Sequence, residues 1–301
     1  MDYYNKIKKE LINNEVYKKV KDYSKNKSDL NTYYEVGKLI VEAQGGEARA
    51  KYGDGLIKEY SKRLMKEVDK KFGYRNLMYM RKFYLLFKDE KVNAMRSQLS
   101  WTHFRELLRL NDINEINYYI DISVKQNLSY RALHDKIKSN EYKRLDDKTK
   151  YKLIKKEESS IGDFIKNPVI IKNTLGIEEI SEKVLQLLIL ENISDFLKEL
   201  GPGFCFIDNE YKIKLGDRYN YIDLLLYNIE FNCYVVVELK VTELKKEHIG
   251  QIGVYMKYID ENVRKFSQGD TIGIIICKKD NSFVIEYTSN ANVLRTVYKV
   301  K

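Results

Sequence analysis

The chain has 301 residues, enough for two domains that each bury a proper core. A formal net charge of +10 and a pI near 9.1 favour an anionic partner, either nucleic acid or an acidic membrane surface. No apolar run approaches the roughly 18 residues of a membrane span, and the start, MDYYNKIKKELI, lacks the apolar core of a signal peptide, so the expected location is the cytoplasm. Cys205, Cys233 and Cys277 are scattered, with no C-x-x-C spacing, and read as reduced core residues of an intracellular protein. His103, His134 and His248 stand apart from them in sequence, which argues against a zinc site.

Residues 1 to about 155 read as helical throughout. Thr32 with Glu35 and Asp112 with Glu115 fit capping boxes, and Ser100 and Ser129 are suited to start helices. Gly45-Gly46 and Gly53-Asp54-Gly55 separate the early helices. The stretch Asn76 to Phe87 is apolar on most sides and is expected to be a central helix. Trp101, Phe104, Leu107 and Leu108 form one face of the next helix and leave Arg105 and Arg109 together on another. Arg75, Arg81, Lys82, Arg105, Arg109 and Arg131 are the candidates for phosphate contacts. Any one of them is equally an ordinary solvated side chain, so the reading rests on a collective basic face. The charged stretch from Asp146 to Ser160 is expected to be a linker or an exposed helix, which puts the domain boundary near residue 160.

In the second half, Ser181 caps an expected helix running to Leu200, where Gly201 and Pro202 stop it. Short strands are expected at 203–207 and 211–215, with Asp208-Asn209 and Gly216-Asp217 as turns. A helix follows over Glu247 to Asn262, with Gln251 and Tyr255 one turn apart. Further strands are expected at 271–277, 283–287 and 294–299. Together these imply a mixed sheet with helices on both faces.

The most informative stretch is Tyr219 to Lys240, YNYIDLLLYNIEFNCYVVVELK. It holds two runs with period-2 alternation, separated by the polar break Asn228 to Asn232. A hairpin centred on Glu230 and Phe231 places Asp223 opposite Glu238, and directly opposed side chains lie about 5 Å apart at Cβ. Two carboxylates so placed repel, and the arrangement becomes favourable with a divalent cation between them, for which hard oxygen ligands are the natural set. Lys240 points the same way as Glu238. The plainer alternative is a structural Glu–Lys pair, with Asp223 accepting hydrogen bonds.

Asp, a hairpin, then Glu-x-Lys resembles the PD-(D/E)XK nuclease superfamily, and in particular its YhcG-like members. GFCF at 203–206, YIDLLLYN at 221–228, VVVELK at 235–240 and GQIGVYM at 250–256 resemble the C-terminal nuclease domain of that family. NLMYMRKFYLLF at 76–87 and LSWTHFRELLRL at 99–110 resemble its N-terminal domain. The resemblance implies a two-domain α+β chain. Residues 1–160 would be an all-helical DNA-binding domain of winged-helix-like kind, and 161–301 an α/β restriction-endonuclease-like domain with a mixed central sheet. It implies a metal-dependent DNA endonuclease acting on duplex or branched DNA, in repair, recombination or defence against foreign DNA, for which a homodimer would suit cutting of both strands.

By the same resemblance, Asp223, Glu238 and the Leu239 carbonyl would hold Mg²⁺, or Mn²⁺ in its place, and Lys240 would orient the attacking water. Glu182 matches an acid that assists the site from the preceding helix, with Glu191 as its substitute. The next acidic position of the family is Gln186 here. Gln251 and Tyr255 match a Gln-x-x-x-Tyr motif that contacts the site or the DNA backbone. Two rival readings stay open: a non-catalytic nucleic-acid-binding protein on a nuclease scaffold, and a protein-interaction module.

Overall fold

The computed structural model describes residues 2–20, 25–46, 54–88, 99–281, 284 and 292–301. It divides into two compact units, Met1–Tyr142 and Lys143–Lys301, so residues 143–160 fall with the second unit.

The first unit contains α1 (Tyr3–Val20), α2 (Lys25–Ala43), α3 (Asp54–Glu67), α4 (Tyr74–Phe87), α5 (Trp101–Leu107), α6 (Ile113–Lys125) and α7 (Tyr130–Lys138). Helices and turns account for its described regular structure, and no strand pair of the kind a wing would need occurs among the described residues. The polar starts act as expected at three places. Asp112 accepts from the Asn114 N–H and Ser129 from the Ala132 N–H, while Ser100 forms a reciprocal box with His103. Thr32 does not: it lies buried inside α2, where the neighbouring apolar residues carry the helix past it. α4 is central, burying Leu77, Met80, Phe83 and Phe87. Gly37 explains how α2 comes so near it, because a Cβ at that position would lie 2.1 Å from the Met80 carbonyl oxygen.

The second unit begins with α8 (Asp147–Lys155), the exposed helix of the charged stretch, and then β1 (Val169–Ile171), α9 (Glu182–Glu191) and α10 (Ile193–Leu200). It continues through β2 (Phe204–Leu215), β3 (Arg218–Asn228), β4 (Cys233–Glu243), α11 (Lys246–Asn262), β5 (Ile272–Lys279) and β6 (Val293–Val300). The six strands form one mixed sheet in the order β1-β6-β5-β4-β3-β2. β2, β3 and β4 are antiparallel neighbours, and β4, β5, β6 and β1 run parallel.

One face of the sheet packs Leu224, Leu226, Val235, Val237 and Leu239 against Leu185, Leu188 and Ile189 of α9 and Phe196 and Leu200 of α10. The other packs Leu225, Val236 and Ile275 against Ile252, Tyr255, Met256 and Ile259 of α11. Helices therefore cover both faces, and α11 is the crossover that lets β5 run parallel to β4.

Four local expectations change. Cys205 is exposed, where Cys233 and Cys277 are buried in the core as expected. The single helix expected from Ser181 to Leu200 is two, because the chain leaves helical geometry at Asn192, whose side chain bonds the Thr174 hydroxyl and the Leu188 carbonyl. Residues 203–207 and 211–215 belong to one long strand, with a bulge between Phe206 and Asp208 where a turn was expected. β1, only three residues long, was not legible, and residues 283–287 lie largely outside the described residues.

Candidate active site

The expected register of β3 and β4 is present. Asn228 pairs with Cys233, and the ladder runs through Leu225–Val236 to Leu224–Val237, so the next position brings Asp223 to Glu238. The pairing stops there. Instead of continuing the main-chain ladder, the Leu239 N–H donates to Asp223 Oδ2 at 2.7 Å. In an extended strand the N–H and C=O of one residue point to the same side, so the Leu239 carbonyl opens onto the same gap.

The gap has a local cause on the far side of β3. Glu210 lies between the pairs Asn209–Leu224 and Tyr211–Ile222, and so stands across from Asp223. Its φ is +49°, a left-handed conformation uncommon for a residue with a Cβ. Residues two apart on an unbroken strand share a face, yet Leu224 packs with the α9 and α10 side and Ile222 with the α11 side. The strand therefore turns over at Asp223.

The charges around this point are tightly coupled. Glu238 is 2% exposed, and its Oε1 is buried with no hydrogen-bond partner. Lys240 Nζ donates to Glu238 Oε2 at 3.2 Å and lies 3.9 Å from Glu182 Oε2 on the first turn of α9. Burial, and then the Asp223 charge, push the Glu238 carboxyl up to about 7, against the opposing pull of Lys240. Burial also raises the Asp223 carboxyl, opposed by the Leu239 amide and Lys240 and reinforced by Glu182 and Glu210. For Lys240 burial works against the charge, but Glu238, Glu182 and Asp223 outweigh it and hold the ammonium above its ordinary value. The His248 imidazole is pushed below its ordinary value by burial, Lys240 and Lys245.

The structure thus brings Asp223, Glu238, Leu239, Lys240 and Glu182 together. Glu191 is exposed at the other end of α9, about 13 Å along the helix from Glu182. Gln186 fills the intervening turn and donates to the Asp223 main-chain carbonyl at 2.9 Å, a bond that a carboxylate there could not make. Gln251 donates to the Tyr255 hydroxyl at 2.9 Å. Tyr255 itself is 5% exposed within the α11 core, so it is not a surface contact for nucleic acid; its ring packs and its hydroxyl fixes Gln251. Glu210 was missed, because glutamate carries no sequence signal for positive φ.

Among the basic candidates of the first unit, Arg75, Arg105 and Arg131 are exposed. Arg109 is half exposed and pairs with the buried Glu106 at 2.9 Å, a carboxylate that also accepts from the Tyr130 hydroxyl at 3.1 Å. Arg81 Nε donates to Gln44 at 2.8 Å. Lys82 is turned inward: its ammonium donates to the Leu108 and Leu110 carbonyls at 2.6 and 2.8 Å, closing the C-terminal end of α5, and burial lowers its pKa. It is a helix-end group and not part of a solvent-facing basic surface.

Two acids at a broken strand pair, a lysine two residues beyond the second, a preceding helix bearing an acid and a crossover helix behind the sheet define a domain of the PD-(D/E)XK type. Residues 162–299 match the YhcG PDDEXK nuclease domain and residues 8–144 the DUF1016 N-terminal domain. The chain belongs to this YhcG-like family of PD-(D/E)XK nuclease-domain proteins. It is 26% identical over 310 aligned positions to the protein named "Putative nuclease YhcG" of Escherichia coli (strain K12), covering 90% of this chain and 83% of that one. Among solved structures it is similar to a repair endonuclease from Pyrococcus abyssi, at 19% identity and a TM-score of 0.28, over 42% of this chain and 48% of that one. It is also similar to the protein of an EndoMS-dsDNA2 complex, at 19% identity and a TM-score of 0.29, over 41% and 47% respectively. The chain thus spans about half the length of the solved proteins it matches.

Proposed function

We propose that the chain is a divalent-metal-dependent DNA endonuclease hydrolysing phosphodiester bonds, with its site at Asp223, Glu238 and Lys240. One observation carries the reading: a buried carboxylate oxygen of Glu238, beside the half-buried carboxylate of Asp223, has no donor. An orphaned anionic oxygen in that position costs free energy unless a cation completes it. The donor set fits a hard ion, so Asp223, Glu238 and the Leu239 carbonyl are the groups that would hold Mg²⁺, or Mn²⁺ in its place. When bound, such an ion polarises the phosphate and makes a water nucleophilic near neutral pH.

The protein's own groups supply the rest. Lys240, kept charged by three carboxylates, would hold the attacking water and offset negative charge growing on the phosphate oxygens. Glu182, 3.9 Å from the Lys240 ammonium, restrains it from the α9 side. Gln251, fixed by Tyr255, is a polar group on the crossover helix suited to a phosphate or water contact. The direct test is cleavage by the purified chain, with and without Mg²⁺, across duplex, branched and single-stranded DNA and RNA. Expected is metal-dependent cutting of at least one DNA substrate; no cutting of any with either ion would overturn the assignment. Which substrate is cut bears on whether the setting is repair, recombination or defence, and double-strand cutting calls for a homodimer with one site per strand.

Within the same reading, the helical unit binds the DNA backbone through Arg75, Arg105 and Arg131. Replacing all three by Gln is expected to reduce the slope of log affinity against log salt by roughly 2 to 3, since each phosphate contact releases condensed counterions. Fluorescence anisotropy on one duplex over a salt series measures this, and an unchanged slope rules out that surface.

A further inference from the structure

The hairpin of β2 and β3 extends past the site as the outer edge of the sheet, and one of its faces is built unlike a protein core. Lys214 pairs with Tyr219 and Lys212 with Tyr221, and the next position in the same register is Glu210 opposite Asp223. Ile213, Tyr211 and Ile222 of the alternate positions go into the α11 core. On this outer segment Lys212 and Lys214 of β2 and Tyr219 and Tyr221 of β3 are therefore left on the opposite face. Tyr219 and Tyr221 are 55% and 52% exposed. Lys212 Nζ stands 3.8 Å from the centre of the Tyr219 ring, and Lys212, Lys214 and Arg218 are all exposed. Two large exposed rings, each beside a lysine, stand on the segment of β3 that leads to Asp223, where the strand turns over.

We propose that this face is a binding track for single-stranded nucleic acid, so that the substrate has an unpaired arm adjoining the cut. Strand-binding surfaces combine cationic groups that follow the backbone with aromatic rings on which bases stack, and both elements are present in alternation. Spacing agrees. Tyr221 is two residues from Asp223 and Tyr219 four, or about 7 and 14 Å along a strand. Each step is about twice the 3.4 Å rise of a stacked strand, which leaves room for one ring between successive bases. A duplex keeps its base faces stacked and offers no ring such a place. The track is cationic at its outer end and anionic at Asp223, the polarity expected where phosphates arrive at a site completed by a cation. The proposal rests on the nuclease reading for its direction toward the cut, but not for the binding itself.

The test separates the two. Full-length chain carrying Asp223→Asn, in EDTA, is titrated with a fluorescein-labelled dT 20-mer and with a blunt duplex of equal length. Tyr219→Ala with Tyr221→Ala is expected to weaken dT binding at least tenfold and duplex binding less than twofold, while Tyr219→Phe with Tyr221→Phe stays within twofold of the parent. Photocrosslinking of a 5-iodo-deoxyuridine oligonucleotide is expected to label Tyr219 or Tyr221. Equal losses on both DNA forms, loss in the phenylalanine pair, or crosslinks only outside the hairpin would overturn the track. The absence of cleavage by the wild-type chain would instead remove the nuclease reading, with these measurements unaffected.

Discussion

Asp223→Asn is expected to leave no measurable phosphodiester cleavage while preserving the fold. The substitution keeps an oxygen able to accept from the Leu239 N–H, the contact at 2.7 Å that joins β3 to β4 where their ladder ends. It removes the charge, and with it half of the anionic pair that would hold a cation. Lys240→Met acts at the other pole. It deletes the ammonium 3.2 Å from Glu238 Oε2 and is expected to lower the rate about 10²–10³-fold, the loss of roughly 3–4 kcal/mol of transition-state stabilisation. Single-turnover cleavage of the preferred substrate checks both, with circular dichroism as the control for folding. Activity within tenfold of wild type in either variant would remove that residue from the machinery.

The second large effect concerns stability. Glu238 ordinarily titrates near 4.5 and is pushed up to about 7 by burial and by Asp223. Below pH 4.5 it is protonated in both the folded and the unfolded chain and contributes no pH dependence. Between 4.5 and about 7 the unfolded chain ionises it and the folded chain does not, so stability falls as pH rises through that window and levels off above it. The full cost is about 3 kcal/mol for the metal-free protein. Glu238→Gln should therefore be inactive yet more stable than wild type at pH 8, with the difference vanishing near pH 4. Mg²⁺ should raise the wild-type melting temperature little at pH 6, where a proton competes for the carboxylate, and more at pH 8. Denaturant unfolding at several pH values measures the first effect and thermal scans with Mg²⁺ the second. A difference between wild type and Glu238→Gln that does not change with pH would mean Glu238 is not held protonated by its surroundings.

The sheet at the site was readable because alternation is a strict period. Once β3 and β4 were joined at Glu230 and Phe231, only one register buried both apolar sets, and it carried Asp223 to Glu238. Lys240 followed from the same parity, and Glu182, preferred to Glu191 by its place in the motif, is the one of the two that lies near Lys240, at 3.9 Å. Other features lacked such a signal. Lys82 looks like a surface residue in a linear sequence, because an amphipathic side chain is as ready to bury its stem and bond its tip as to reach into solvent. The break at Asn192 is set by bonds to Thr174 and Leu188, and the bonds that hold β1 come from β6 more than a hundred residues later.

The left-handed residue at 210 ties the outer hairpin to the acid pair. Beyond it, Tyr211, Ile213 and Ile222 hold the β2–β3 hairpin against the α11 core, so its pitch is fixed by packing as well as by that one backbone position. A change at residue 210 would act on the exposed face of Lys212, Lys214, Tyr219 and Tyr221 and, at the same time, on Asp223, which stands across from it. The exposed face of the hairpin and the acid pair are thus joined through one backbone position.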